Sequence, residues 1–231
     1  AFNSIPISSG SVSKSVDIVS PPASLKIDPR CLLAYSHYYQ TTVWVNLNHR
    51  AYTIGLNTES RIHDSLPHNV ISEPIEIKLK DKDGIQLKIL SVWCSEKFTV
   101  YLAKRPTENC PAKIIYFHAN RKSHEPYYAD LSGRNPIALF GGVDDFAVID
   151  DHGIIIAFTN NEKTFNQPQF KSLPNNDRAV SVACCRNFFI ALSENGKVFQ
   201  AQNKVEKLVD FKEVRELRNK TIENISGIAT H

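Results

Sequence analysis

The stretch FFIALSENGKVFQAQN, Phe188 to Asn203, joins an apolar run, an Asn-Gly turn, a second apolar run and a closing Asn, and the chain repeats this shape. DFAVIDDHGIIIAFTN ends at Asn160, with Asp151-His152-Gly153 at its turn. FTVYLAKRPTENCPAKIIYFHAN ends at Asn120 after a longer turn, and TTVWVNLNHRAYTIGLN ends at Asn57 with Asn48-His49 at its tip. Phe98, Phe146 and Phe189 mark the first strands of three units, 48 and 43 residues apart. Upstream of each lies a further short run, ILSVWCS, PIALFGG or AVSVACC, and the last seven residues, ISGIATH, read as the start of one more.

A repeat of about 40 to 50 residues with several strands per unit points to a propeller or a related array. The runs are rich in Val, Ile, Phe, Tyr and Thr and are bounded by Asn, Asp, Gly and Pro, which is strand chemistry. They are apolar almost throughout rather than alternating, so each small sheet must be covered on both faces. Stacking sheets face to face around an axis does that. The expected fold is all-β: propeller blades of short antiparallel strands, about four repeats ending near residues 57, 120, 160 and 203, and a fifth beginning near 225. Phe98, Phe146 and Phe189 are expected at equivalent buried places in successive blades. Residues 203–223, NKVEKLVDFKEVRELRNKTIE, hold no clean apolar stripe and read as a loop with a short turn of helix.

Residues 1–28 read as an extended N-terminal arm, with six Ser in the first fifteen positions and Pro21-Pro22 following. Residues 29–231 then make a partial propeller, an incomplete ring. An open arc leaves apolar faces and strand edges to water. The expectation from this is that further blades follow His231.

The unit itself carries a resemblance. A first strand with small residues, a second strand of the FxxAL type, a Gly-bearing turn, then Val-Tyr/Phe and a closing Gly-x-Asn, resemble the repeat of the regulator of chromosome condensation family. LSENGKVF, Leu192 to Phe199, is most similar to that family's turn, and AYTIGLN, Ala51 to Asn57, to its closing motif. The resemblance covers residues 31–231, and the style is similar to divergent propellers of protists. Ile54 stands where the family usually has Trp. The resemblance implies a propeller of commonly about seven blades and, from the founding activity, a small GTPase as partner.

Composition narrows the function classes. With 42% hydrophobic and 22% charged residues the chain has an ordinary core-forming make-up, and a net charge of +3 gives no nucleic-acid or anionic-membrane signal. No apolar run approaches the roughly 20 residues of a membrane span. The N-terminus shows no secretory pattern, so Asn219 and Asn224, in NKT and NIS, read as chance sequons and the expected location is cytoplasmic or nuclear. Cys31, Cys94, Cys110, Cys184 and Cys185 match no zinc spacing and read as reduced thiols.

No phosphate loop, HExxH or GxSxG elbow is present, so neither enzyme chemistry nor a cofactor is expected. Asp144, Asp145, Asp150, Asp151 and His152 form the densest acidic cluster and read as turn residues at the two ends of one strand. Gly141-Gly142 reads as a close-packing site near an axis, and Trp44 and Trp93 as core. RKSHEPYYADLSGR, between Asn120 and Pro136, offers Arg121, Lys122, His124, Tyr127, Tyr128 and Arg134; Tyr with Arg in a loop between rigid blades is the composition of a partner-binding edge. The expected function is a non-catalytic protein-interaction scaffold. The alternatives are an exchange factor for a small GTPase, or the regulatory propeller of a larger ubiquitin ligase or kinase. An exchange factor would wedge a stiff hairpin into its GTPase, and neither 58–88 nor 121–135 reads as one.

Overall fold

Asn46, Asp150 and Ser193 each end a strand and open the same turn. The Asn46 carboxamide oxygen accepts the amides of Asn48 and Arg50 at 3.0 Å each, and the Asp150 carboxylate accepts those of His152 and Ile154 at 3.0 and 2.7 Å. The Ser193 hydroxyl does the same for the Lys197 amide at 3.2 Å. The backbone closes each turn identically, with the fourth residue donating to the first at 2.9–3.0 Å. That fourth residue is left-handed: His49 at φ 60°, Gly153 at 77° and Gly196 at 74°. A type I turn followed by one left-handed residue is a common hairpin connection, and it explains why a polar residue opens each tip and Gly closes two of the three.

In the computed structural model, residues 32–36, 41–57, 62–63, 66, 70–95, 97–107, 110–119, 126–160, 165, 167–204 and 207–225 are described. They form four antiparallel sheets in chain order. The first holds β1 (Leu32–Ser36), β2 (Thr41–Val45), β3 (Ala51–Leu56) and β4 (Val70–Ile77). The second holds β5 (Lys88–Cys94), β6 (Phe98–Lys104), β7 (Lys113–His118) and β8 (Tyr127–Tyr128). The third holds β9 (Pro136–Gly141), β10 (Phe146–Asp150), β11 (Ile155–Phe158) and β12 (Gln169–Lys171). The fourth holds β13 (Ala179–Cys185), β14 (Phe188–Ser193) and β15 (Val198–Lys204), with β16 (Lys207–Leu208) and β17 (Lys212–Glu213) both pairing β15. Consecutive strands pair in every sheet, which is the meander of a propeller blade.

Each closing Asn of the repeat precedes a fourth strand that its sequence did not announce. β4 lies inside the expected insertion 58–88 and β8 inside 121–135. These strands are outermost, and apart from Ile71 and Ile77 of β4 their side chains are exposed or half-buried, so they lack the apolar signature of the inner three. The stretch 203–223 becomes the end of β15, two short strands and a 3-10 turn at Arg215–Leu217. The arm 1–28 lies outside the described residues.

The core sits between the blades. Val43, Val45 and Ile77 of the first blade pack on Tyr101, Ile115 and Phe117 of the second. Phe98, Val100 and Ile114 of the second meet Phe146, Val148 and Phe158 of the third. Ala147, Ile149 and Ile155 of the third meet Phe189, Ala191 and Phe199 of the fourth. Successive residues of β6 and β10 therefore serve alternate interfaces, and both strands are buried along nearly their whole length.

This alternation corrects one expectation. Phe98, Phe146 and Phe189 are all fully buried, but only Phe146 and Phe189 are equivalent, each facing the preceding blade. Phe98 faces the following blade and lies 5.9 Å from Phe146, ring to ring. A one-residue offset in a strand moves a side chain to the opposite face, and the longer turn after β6 hid that offset in the sequence.

The first strands β5, β9 and β13 come closest together. A Cβ on Gly141 would run into the Trp93 indole, and one on Gly142 into the Cys184 carbonyl. Trp93 also donates from Nε1 to the Gly142 carbonyl at 2.9 Å. Close packing of three blades' innermost strands thus explains the Gly pair. Tip carbonyls latch each blade to the next: His49 accepts the Ile89 amide at 3.0 Å and Gly153 the Ala179 amide at 3.1 Å. Pro136 has no amide to give, and the Asn135 carboxamide accepts the Ala112 amide there instead, at 3.1 Å. Gly196 accepts the Ile222 amide at 3.0 Å, so Ile222 takes the place of Ala179, three residues ahead of the expected start near 225. Residues 226–231 of that expected strand lie outside the described residues.

Truncating Phe146 or Phe189 to alanine is expected to cost roughly 3–5 kcal/mol by opening a core cavity. Denaturant unfolding of Phe98→Ala/Phe146→Ala should depart from the sum of the single losses, because the rings share one core, whereas Phe98→Ala/Phe189→Ala should add. Additivity in both pairs would refute the interface assignment.

Candidate interaction surface

The expected partner edge divides on inspection. Arg121, Lys122 and His124 lie outside the described residues. Tyr127 and Tyr128 are not in a loop: they form β8, paired with Tyr116 and Ile115. Tyr127 stacks on Tyr116 with ring centroids 5.0 Å apart, and the Tyr128 hydroxyl donates to the Lys80 carbonyl at 3.0 Å. Arg134 lies over the Phe170 ring at 5.5 Å and donates to the buried Asp150 carboxylate at 2.5 Å. Each of the three described side chains thus has internal work, and both tyrosines are half-buried. Replacing all three by alanine would disturb packing as well as any surface.

The same edge contains a hairpin that the sequence reading overlooked. Lys80 bridges Gln86, and Asp81 opens the turn by accepting the amides of Asp83 and Ile85 at 3.0 Å each, with Gly84 left-handed at φ 77°. Asp81-Lys82-Asp83-Gly84 is the Asp150-to-Gly153 device again, and that likeness was the available signal. Arg105 donates to Asp81 at 2.5 Å and also to Asp83. Burial alone would push the Asp81 carboxyl up, but the Ile85 amide, Arg105 and the Asp83 amide outweigh it and hold its pKa below the ordinary value. Lys82 sits 5.4 Å over the Tyr128 ring. The hairpin is therefore stiff, with an exposed tip at residues 82–86. This corrects the expectation that 58–88 holds no stiff hairpin.

The acidic cluster behaves as turn chemistry. β10 separates the two Asp pairs. Asp144 pairs with Lys97, Asp150 with Arg134 and its turn amides, and Asp151 with Asn135 and His152 at 3.3 and 2.7 Å. Asp145 is different. It is buried, accepting the Asn160 amide at 2.8 Å and the Asn203 side chain at 2.6 Å. Two of the repeat's closing Asn residues thereby converge on one carboxylate, and Asn203 ties the fourth blade to the third. The first closing Asn, Asn57, is also fully buried and binds the Ile62 amide and the His63 carbonyl, both at 3.1 Å. Among the thiols, Cys94 and Cys184 are buried, and burial pushes Cys184 well above its ordinary pKa, which keeps it protonated and unreactive.

Bulges in the first strands of the second, third and fourth blades re-aim one apolar residue in each. The register shifts around Leu90 in β5, Ile137 in β9 and Val180 in β13, at the same place in each. Leu90 is half-buried, but Ile137 is 57% and Val180 49% exposed, large apolar side chains that the repeat presents to solvent.

Four stacked antiparallel meanders, three of four strands and one of five, with inner strands converging on one edge define a β-propeller. No protein-family model matches the chain, and no curated protein matches it in sequence. Among solved structures, human WBSCR16 superimposes with a TM-score of 0.67 at 13% identity, over 88% of this chain and 59% of that one. This chain thus spans less than two thirds of that protein's length, and at such identity the likeness speaks for the fold alone. Prp20p from Saccharomyces cerevisiae matches at a TM-score of 0.42 and 10% identity, over 81% of this chain and 65% of its own. The WD40 domain of SCAP from fission yeast matches at 0.40 and 10%, over 80% and 56%. Among the described residues no helix is long and apolar enough to cross a membrane.

Burial first, and the Asp144 charge beside it, push the Asp145 carboxyl from 3.8 up to about 6 against the pull of its two hydrogen bonds. A carboxyl raised in the folded state contributes stability that is full below about 3.8 and lost as pH rises through about 6. That loss amounts to at most roughly 3 kcal/mol. Asp145→Asn should remove this component, so the stability difference between variant and parent, read by denaturant unfolding, should change between pH 4 and pH 7. A constant difference across that range would sink the assignment.

Proposed function

We propose that this propeller is a non-catalytic scaffold for protein partners, similar in kind to the regulator of chromosome condensation propellers, working in the cytosol or nucleus. The observation that carries the reading is the row of bulged positions, with Ile137 and Val180 exposed at one register of adjacent inner strands. Exposed large apolar side chains repeated at one level of a rigid array make a surface that a protein partner covers at low ordering cost. Ile137→Lys/Val180→Lys should leave the unfolding midpoint near that of the parent and abolish capture of specific proteins from source cells. An unchanged set of captured proteins would count against the scaffold reading at this surface.

Exchange on a small GTPase is the second reading. It is favoured by the stiff hairpin at residues 80–86, whose tip carries Lys82 and the 40% exposed Ile85. Release of fluorescent GDP from a panel of small GTPases should then accelerate with the parent chain and not with Lys82→Ala/Ile85→Ala. Basal release rates throughout would eliminate it.

A further inference from the structure

Lys88 and Lys104 stand directly opposite each other at the end of the β5–β6 ladder. Like charges directly opposite in an antiparallel pair are destabilising. Among the described residues, neither is ion-paired, and Lys78 is not either. Asp81 and Asp83 are occupied elsewhere, since both bind Arg105. Lys78 and Lys88 line an open cleft of about 540 Å³ between the first blade's tip and the start of β5, together with His49 and Arg50. Glu76 is its one described acid, and it faces the exposed Arg50 guanidinium at 3.9 Å, too far for a strong pair. The floor is apolar, formed by the buried Ile77, Leu87 and Ile89. The His49 carbonyl, latched to the Ile89 amide, holds the two walls together.

We propose that this cleft is a docking site for an acidic segment of a protein partner, with Arg50, Lys78 and Lys88 as its cationic walls and Lys104 reinforcing Lys88. This deepens the scaffold reading and rests on it, at a surface separate from Ile137 and Val180. Cationic walls over a floor already sealed into the core suit a segment rich in acidic side chains. Asn48 and Gln86 at the rim add amide groups for its backbone. A carboxylate bound beside Lys88 also offsets the charge of Lys104, which stands opposite it on the ladder.

The test is fluorescence anisotropy of a fluorescein-labelled octaglutamate peptide titrated with the full chain at low salt. Saturable binding is expected, weakened about tenfold or more by Arg50→Glu/Lys88→Glu and by added salt as the screening length shrinks. Lys212→Glu/Lys220→Glu, a reversal of exposed charges on another blade, should leave it unchanged. Lys88→Glu should also raise the thermal midpoint, which shows that the variant folds and reports the relieved repulsion. No binding, equal loss in both reversals, or tighter binding of a labelled oligothymidylate of equal charge to the same cleft would overturn the proposal. None of these outcomes bears on the Ile137 and Val180 surface, so this inference can fail while the scaffold reading stands.

Discussion

The second and third sheets are apolar on both faces, and a four-stranded sheet of that kind cannot exist alone in water. The second and third blades illustrate the constraint. Tyr101 and Ala103 of β6 turn to the first blade while Phe98, Val100 and Leu102 turn to the third. The third repeats the division with Phe146 and Val148 on one side and Ala147 and Ile149 on the other. The described core residues fall into three clusters between blades, so the stability of each blade depends on its neighbours, as in other repeat arrays. The interface between the second and third blades is aromatic. Phe165 meets Phe98, Phe146 and Tyr116 edge-on at 4.8, 4.7 and 5.0 Å, and Phe146 stacks on Phe158 at 4.3 Å.

Polar groups then decide how the blades are placed, because burial itself is non-directional. The hairpin tips use an Asn, Asp or Ser to satisfy turn amides, and the carbonyl of the left-handed residue is left pointing at the next blade's first amide. At the inner edge, Gly141 and Gly142 admit Trp93 and the Cys184 backbone. Asp145 gathers an amide and a carboxamide from two blades at the expense of a raised pKa. Such a buried carboxylate is tolerated because hydrogen bonds reach both its oxygens.

With the apolar faces committed to blade packing, surfaces for partners fall to what the repeat leaves over: bulged residues, tips and outer strands. Ile137 and Val180 are exposed because a bulge turns them out of the ladder, and Lys88 meets Lys104 because two strand ends coincide. The expected edge at Tyr127, Tyr128 and Arg134 is largely consumed by packing and by the Asp150 carboxylate. Tyr and Arg serve interior and interface alike, so composition did not separate the two uses.

The repeat was legible because periodic apolar runs and polar turns are local properties, set by strand chemistry and by the left-handed residue that each tip requires. Four blades, the three inner strands of the last three and the structural role of Gly141-Gly142 followed from that alone, while β1 of the first blade went unread. What the tertiary structure decided were matters of register and of outer edges. Phe98 looked equivalent to Phe146 until the pairing with His118 and the long turn after β6 put it on the other face. The fourth strands were hidden because a half-exposed outer strand such as Tyr127–Tyr128 owes its conformation to the neighbour it pairs with. The cleft at Lys88 was equally invisible, since its walls come from residues distant in sequence. Side-chain type and spacing specify which segments become strands, but only the packing of whole blades determines which face, and which neighbour, each residue meets.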